Sequence, residues 1–130
     1  MGVNFAKYRA ALERQYTDRA TIERQQEVVK PNKATVTEPI VAYADQPCRI
    51  SQTGLPKDGQ TEAQNDVDYL AKLFVSPDIE IRPGDTITVQ RGYVAATDWI
   101  PLGAARSYQA GEPFLYPTHQ EISLHREDYA

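Results

Sequence analysis

The side chains able to do covalent or metal chemistry are few in this sequence and far apart. Cys48 is the single cysteine, and His119 and His125 are the two histidines. In HQEISLH, residues 119–125, strand alternation places His119, Glu121, Ser123 and His125 in one row. At about 3.3 Å per residue the two histidines stand roughly 20 Å apart, beyond the reach of a shared metal ion. His119 with Glu121 makes half a site, and no further ligand at a metal-binding spacing completes it. Solvent-facing strand residues and no metal are expected. Cys48 lies between Pro47 and Arg49 on the parity of Ile50, the place of a small buried hydrophobe. It becomes a nucleophile only if the fold carries a histidine to it. Ser51, Ser76, Ser107 and Ser123 lie in no Gly-x-Ser-x-Gly elbow. Asp66 with Asp68, and Asp78 with Glu80 and Asp85, lack the alternating oxygen ligands and closing glutamate of a calcium loop; Asp78 and Asp85 suit turns. Gly84 and Gly92 stand singly, so there is no glycine-rich phosphate cradle. The expectation is a non-enzymatic protein without a cofactor.

The elements that carry these residues belong to one domain, 1–130. With 130 residues and 41% hydrophobic content, the chain can bury a core without staples. A net charge of −4 gives no global basic field for duplex nucleic acid. Residues 1–33 hold seven Lys or Arg against four Asp or Glu, and residues 66–130 hold five against ten. Such asymmetry suits stacking of subunits, or is only a solvated surface. One cysteine excludes an intrachain disulfide and fits a reducing compartment. No signal-peptide pattern and no long apolar run appear, so a soluble cytoplasmic chain away from membranes is expected.

Phe5, Tyr8, Leu12 and Tyr16 recur at three- and four-residue steps and predict an amphipathic helix over 4–16, with Asn4 as its cap. That face either packs on its own domain or docks a partner subunit. From Asp18 the period changes to two. Ala20 and Ile22 begin a strand, VKPNK turns the chain, and Thr35–Thr37 begin another. Pro39 limits that second strand to an edge or a break, and IVAYADQPCRIS continues as extended chain. Residues 53–66, TGLPKDGQTEAQND, read as a long exposed loop. Val67, Tyr69, Ala71, Leu73 and Val75 share a parity, while Leu70 and Phe74 are apolar on the other. This strand is expected to be buried on both sides or to lie against a partner. A turn at 76–78, a short strand with Ile79 and Ile81 inward, a turn at Pro83-Gly84-Asp85 and a strand with Ile87 and Val89 inward follow. Arg91-Gly92 reverses the chain. A strand from Tyr93, another over 99–109 and a last over 118–126 complete the series. About seven short strands behind one helix predict an all-β, small antiparallel barrel or sandwich.

Tyr43, Tyr69, Tyr93, Trp99, Tyr108 and Tyr116 are spread over different strands with no interleaved basic cluster. Core and interface packing explains them. The alternative is a monomeric binding module whose aromatic strands stack single-stranded nucleic acid or carbohydrate.

Four stretches in series, YTDRATIER at 16–24, PCRIS at 47–51, KLFVSPDIEIRPGDTITV at 72–89 and HQEISL at 119–124, give a resemblance. The chain resembles the head-closure, or head-to-tail connector, proteins of long-tailed bacteriophages and defective prophages. The resemblance implies a small β-barrel subunit of a virion ring, expected to be dodecameric, beneath a portal and adaptor. It implies docking of a tail or tail-completion protein on the other side and retention of packaged DNA without sequence-specific contacts. The channel loop falls by position on Gly54, Leu55, Pro56, Lys57, Asp58, Gly59, Gln60, Thr61 and Glu62 within residues 53–66. Phe5, Tyr8, Leu12 and Tyr16 would be the partner-docking helix face. Lys57 against Asp58, Glu62 and Asp66 leaves the loop at −2, which would repel phosphates weakly. The segment 90–115 is longer and more apolar than the family pattern.

Overall fold

The computed structural model describes residues 5–54 and 69–126. Helix α1 (Phe5–Glu13) precedes eight strands: β1 (Asp18–Val29), β2 (Thr35–Gly54), β3 (Tyr69–Val75), β4 (Thr86–Gln90), β5 (Gly92–Ala95), β6 (Asp98–Pro101), β7 (Arg106–Leu115) and β8 (Gln120–Arg126). Six strands close into an antiparallel barrel in the order β1-β2-β3-β8-β7-β4, and β5-β6 forms a separate hairpin. The expected small antiparallel barrel is the fold.

Strand alternation fills the barrel. Ala20 and Ile22, Cys48, Ala71, Leu73 and Val75, Ile87 and Val89, Tyr108 and Ala110, Ile122 and Leu124 all point inward and are buried. Burying each large aliphatic side chain contributes about 1.5–3 kcal/mol over leaving it exposed. Asp18 is buried as well and fastens the barrel wall. Its carboxylate accepts from the backbone N–H of Ile50 at 3.0 Å and of Gly92 at 3.1 Å. Gly92 is required there, because a Cβ would lie 2.3 Å from the Trp99 ring. The Trp99 indole in turn donates to the Thr17 carbonyl at 2.6 Å, with the Arg19 guanidinium 4.0 Å over its ring.

Three expectations need correction. The strand expected at 79–82 is irregular chain, although Ile81 is buried and Ile79 packs on the core. Distant side chains take up its backbone groups. The buried Gln120 amide donates to the carbonyls of Ser76 (2.8 Å) and Ile79 (2.7 Å). Arg24 donates to Glu80 O at 3.0 Å, and the Tyr43 hydroxyl accepts from Glu80 N at 3.1 Å. With those bonds made, no strand partner is needed. The strand expected over 99–109 is broken between β6 and β7, where Gly103 adopts φ +74°. The helix stops at Glu13, short of Tyr16. Of the two alternatives for the second apolar side of β3, Phe74 takes cover within the chain, half-buried beside Leu12, Tyr16 and His119.

The β1-β2 hairpin is far longer than the short unit expected. Its pairing runs from Asp18↔Cys48 to Val29↔Thr35. Only residues 19–23 of β1 also pair with β4, and only residues 48–54 of β2 also pair with β3. Beyond Arg24 and Ile40 the two strands therefore leave the barrel as an arm. Its turn is closed by Lys30 N–H to Ala34 O and Lys33 N–H to Lys30 O, both 2.8 Å, and by Ala34 N–H to Asn32 Oδ1 at 3.0 Å. Pro39 sits on this arm opposite Gln25, where β2 has one neighbour. That is the edge position a proline tolerates.

Candidate interaction surfaces

Because every ladder in the barrel is antiparallel, the strand directions sort the connections onto two ends. One end carries the start of β1, the β5-β6 hairpin and the 55–68 connection. The other carries the arm, the 76–85 loop and the β7-β8 turn. Gly54 pairs with Tyr69, so the connection leaves and returns at one point. The remaining residues assigned to a channel loop, Leu55, Pro56, Lys57, Asp58, Gly59, Gln60, Thr61 and Glu62, lie outside the described residues.

The predicted docking face of α1 is divided in two. Leu12 and Tyr16 turn to the barrel and, with Gln15, Arg49, Ser51, Phe74 and His119, line a cavity of about 280 Å³. Phe5 and Tyr8 remain exposed, at 47% and 59%. No residue of α1 is buried, and polar contacts tether it. Arg9 bonds Asp78 and the Ser76 hydroxyl, and Arg49 donates to the Gln15 amide oxygen at 3.1 Å. The Asp78 carboxyl is held below its ordinary value by that hydrogen bond from Arg9.

The chemistry-bearing residues do not converge. Cys48 is fully buried, and burial, helped by the Asp18 charge, pushes its thiol well above the usual range; a thiol so placed is a poor nucleophile. His119 is the one histidine drawn into a cluster. Its Nε2 lies 3.0 Å from Glu121 Oε2 and its Nδ1 3.1 Å from the Thr118 hydroxyl. The imidazole stacks on Tyr116 at 4.7 Å and 6° and approaches Phe74 at 6.0 Å. His125 stays exposed on β8. Among the described residues no three His, Cys, Asp or Glu side chains are placed to hold a metal ion.

Exposed apolar side chains instead gather at the connections. Phe114, Leu115 and Tyr116, exposed at 64%, 66% and 39%, form the end of β7 and the turn after it. Leu115 lines a concave surface of about 440 Å³ walled by Pro77, Ile79 and Pro113, whereas Phe114 packs on Tyr116, which stacks on His119. Val29 and Val36 are exposed on the arm, and Val41 just below it. At the opposite end, Arg91 and Arg106 flank a cavity of about 610 Å³ that also reaches Ile50, Val89 and Tyr108. Among the described residues the six aromatics go separate ways: Tyr108 is core, Tyr43 and Trp99 hold backbone groups, Tyr116 covers His119 and Tyr93 is exposed on β5; the side chain of Tyr69 lies outside the described residues. The arm was not foreseen as a working part. Its signal was the continued β-branched run VTE after the turn, with polar residues on both faces.

These features define a closed β-barrel with an appended arm and a separate two-stranded hairpin. Comparisons of the chain with protein-family models, curated proteins and solved structures find no match.

Proposed function

We propose that this chain is a structural virion protein, a head-closure connector that forms a ring below the portal and adaptor, retains packaged DNA and docks the tail. The observation that carries this reading is the polarity of the barrel. A 55–68 connection departs from one end, an arm and an apolar turn from the other, and no reactive constellation lies between them among the described residues. A ring subunit needs those three things: a rigid wall, surfaces at its connections for neighbours, and one segment free to meet the channel. The resemblance of the four stretches supplies the assignment to phage heads, the expected dodecameric symmetry and the channel role of 54–62. Closure would be steric, with segments from many subunits converging and moving aside on tail attachment.

Electron microscopy of the purified chain with and without its adaptor tests the reading. Rings on the adaptor are expected. If no ring forms in either case and the chain instead binds oligonucleotide or glycan, the connector reading fails. Heads assembled with residues 55–64 deleted should leak DNA; normal retention would remove the gate role.

A further inference from the structure

We propose that the β1-β2 arm of one copy of this chain docks head to tail on the β7-β8 turn of a second copy. The inference rests on the connector reading only in naming the surfaces through which a ring would close. Three observations lead to it.

The first is placement. In the barrel order β1-β2-β3-β8-β7-β4, the β1-β2 pair lies directly across the barrel from the β8-β7 pair. Both the arm and the β7-β8 turn emerge from the same end. One projection and one apolar landing site thus share an end of each subunit, linked by the 76–85 loop, whose Glu80 meets Arg24 and Tyr43 near the arm's base. A contact between them is heterologous, leaving a free arm and a free turn on every partial assembly until the ring closes.

The second is incompleteness. Beyond Arg24 and Ile40 the arm is a ribbon of two strands whose outer edges meet no further strand. A ribbon of two strands is marginal in water, and open strand edges invite pairing. Val29 and Val36 are exposed at 69% and 36% on it. On the receiving side Leu115 is exposed at 66% in the concavity walled by Pro77, Ile79 and Pro113.

The third is charge. The arm's turn carries Lys30 and Lys33, whereas the landing site is lined by Asp78, Glu80 and Glu112 against the single cation Arg82. Lys30 already pairs with Glu38, Asp78 with Arg9 and Glu80 with Arg82. Lys33 and Glu112 enter no ion pair among the described residues. Arm against arm would bring the lysines together, and turn against turn the glutamates. Only the arm-to-turn contact joins opposite signs.

The test uses full-length single-cysteine additions, since Cys48 is fully buried and contributes no background. Val29→Cys and Leu115→Cys proteins are oxidised separately, mixed, and combined in one chain. The mixture should give a disulfide-linked dimer, each variant alone essentially none, and the double variant a ladder of higher oligomers. A second arm needs no cysteine: Lys33→Glu and Glu112→Lys should each weaken self-association about two- to fivefold, and the pair together should restore it. Dimers from Val29→Cys alone, or no cross-link in the mixture, would overturn the proposal. Rings seen by microscopy without the cross-link would overturn it while leaving the connector reading intact. Cross-linked ladders from a chain that plays no part in DNA retention would sink the connector reading and leave this one standing.

Discussion

The Arg24 guanidinium grips the Asp85 carboxylate with two bonds, Nε to Oδ1 at 3.0 Å and Nη2 to Oδ2 at 2.8 Å. Asp85 is only 4% exposed, and it also accepts the Arg82 backbone N–H at 2.9 Å. The pair stands at the point where the arm leaves the barrel, and Arg24 extends it to the 76–85 loop through Glu80 O. Arg24→Ala would leave a buried carboxylate without its counter-ion. It should lower stability in urea by about 3–5 kcal/mol, and Asp85→Ala in the same chain should recover part of that loss.

Gln120 replaces a strand partner for the 76–79 chain. Gln120→Leu keeps the volume but removes the donors that serve Ser76 O and Ile79 O. A loss of about 1–3 kcal/mol per orphaned carbonyl is expected in thermal or urea unfolding. Hydrogen exchange should quicken in the 76–85 loop more than in β4.

Gly92 and Trp99 fit together only without a side chain on the former. Gly92→Ala should displace the indole, break its bond to Thr17 O and cost about 1–3 kcal/mol. Trp99 is the sole tryptophan, so a red-shifted, weaker emission from the folded variant reports the displacement directly. An unchanged spectrum would contradict this packing.

Glu121 gives a pH signature. The hydrogen bond with His119, followed by the nearby Lys72 ammonium at 3.6 Å, holds its carboxyl below the ordinary 4.5. A depressed native pKa means that the stabilisation is complete above the unfolded value and is lost as pH falls through the lower native one. His119→Phe keeps a ring against Tyr116 while removing the bond. The variant should be less stable than the parent at neutral pH, and the gap should narrow between about pH 5 and pH 3. Denaturant midpoints across that range measure it.

Much of the barrel was legible because one face of each strand is dry. Ile87 and Val89 against Thr86 and Thr88, and Ile122 and Leu124 against Glu121 and Ser123, alternate as the burial does. The same rule misread Ile79 and Ile81. Alternation reports which side chains turn inward, and an irregular loop can do that when Gln120, Arg24 and Tyr43 hold its backbone. Those holders lie 37 to 56 positions away along the chain, beyond any local pattern. The reach of the hairpin was hidden for the opposite reason: an arm that buries little has no dry face to display. The burial of Cys48 was legible from its parity with Ile50, and the His119–Glu121 contact from strand alternation, whereas the part-buried stacking of His119 on Tyr116 and near Phe74, where a solvent-facing strand residue was expected, depends on the turn before β8.

The pairing of Gly54 with Tyr69 also makes the barrel a holder with an exchangeable insert. Since the two ends of the connection are already fixed side by side by the ladder, its length is nearly decoupled from the fold. Doubling it would cost only about 0.6 kcal/mol in closure entropy. Lineages of such a protein could therefore vary the segment in size and charge, and an engineer could graft a foreign peptide there, while the wall that carries it stayed unchanged.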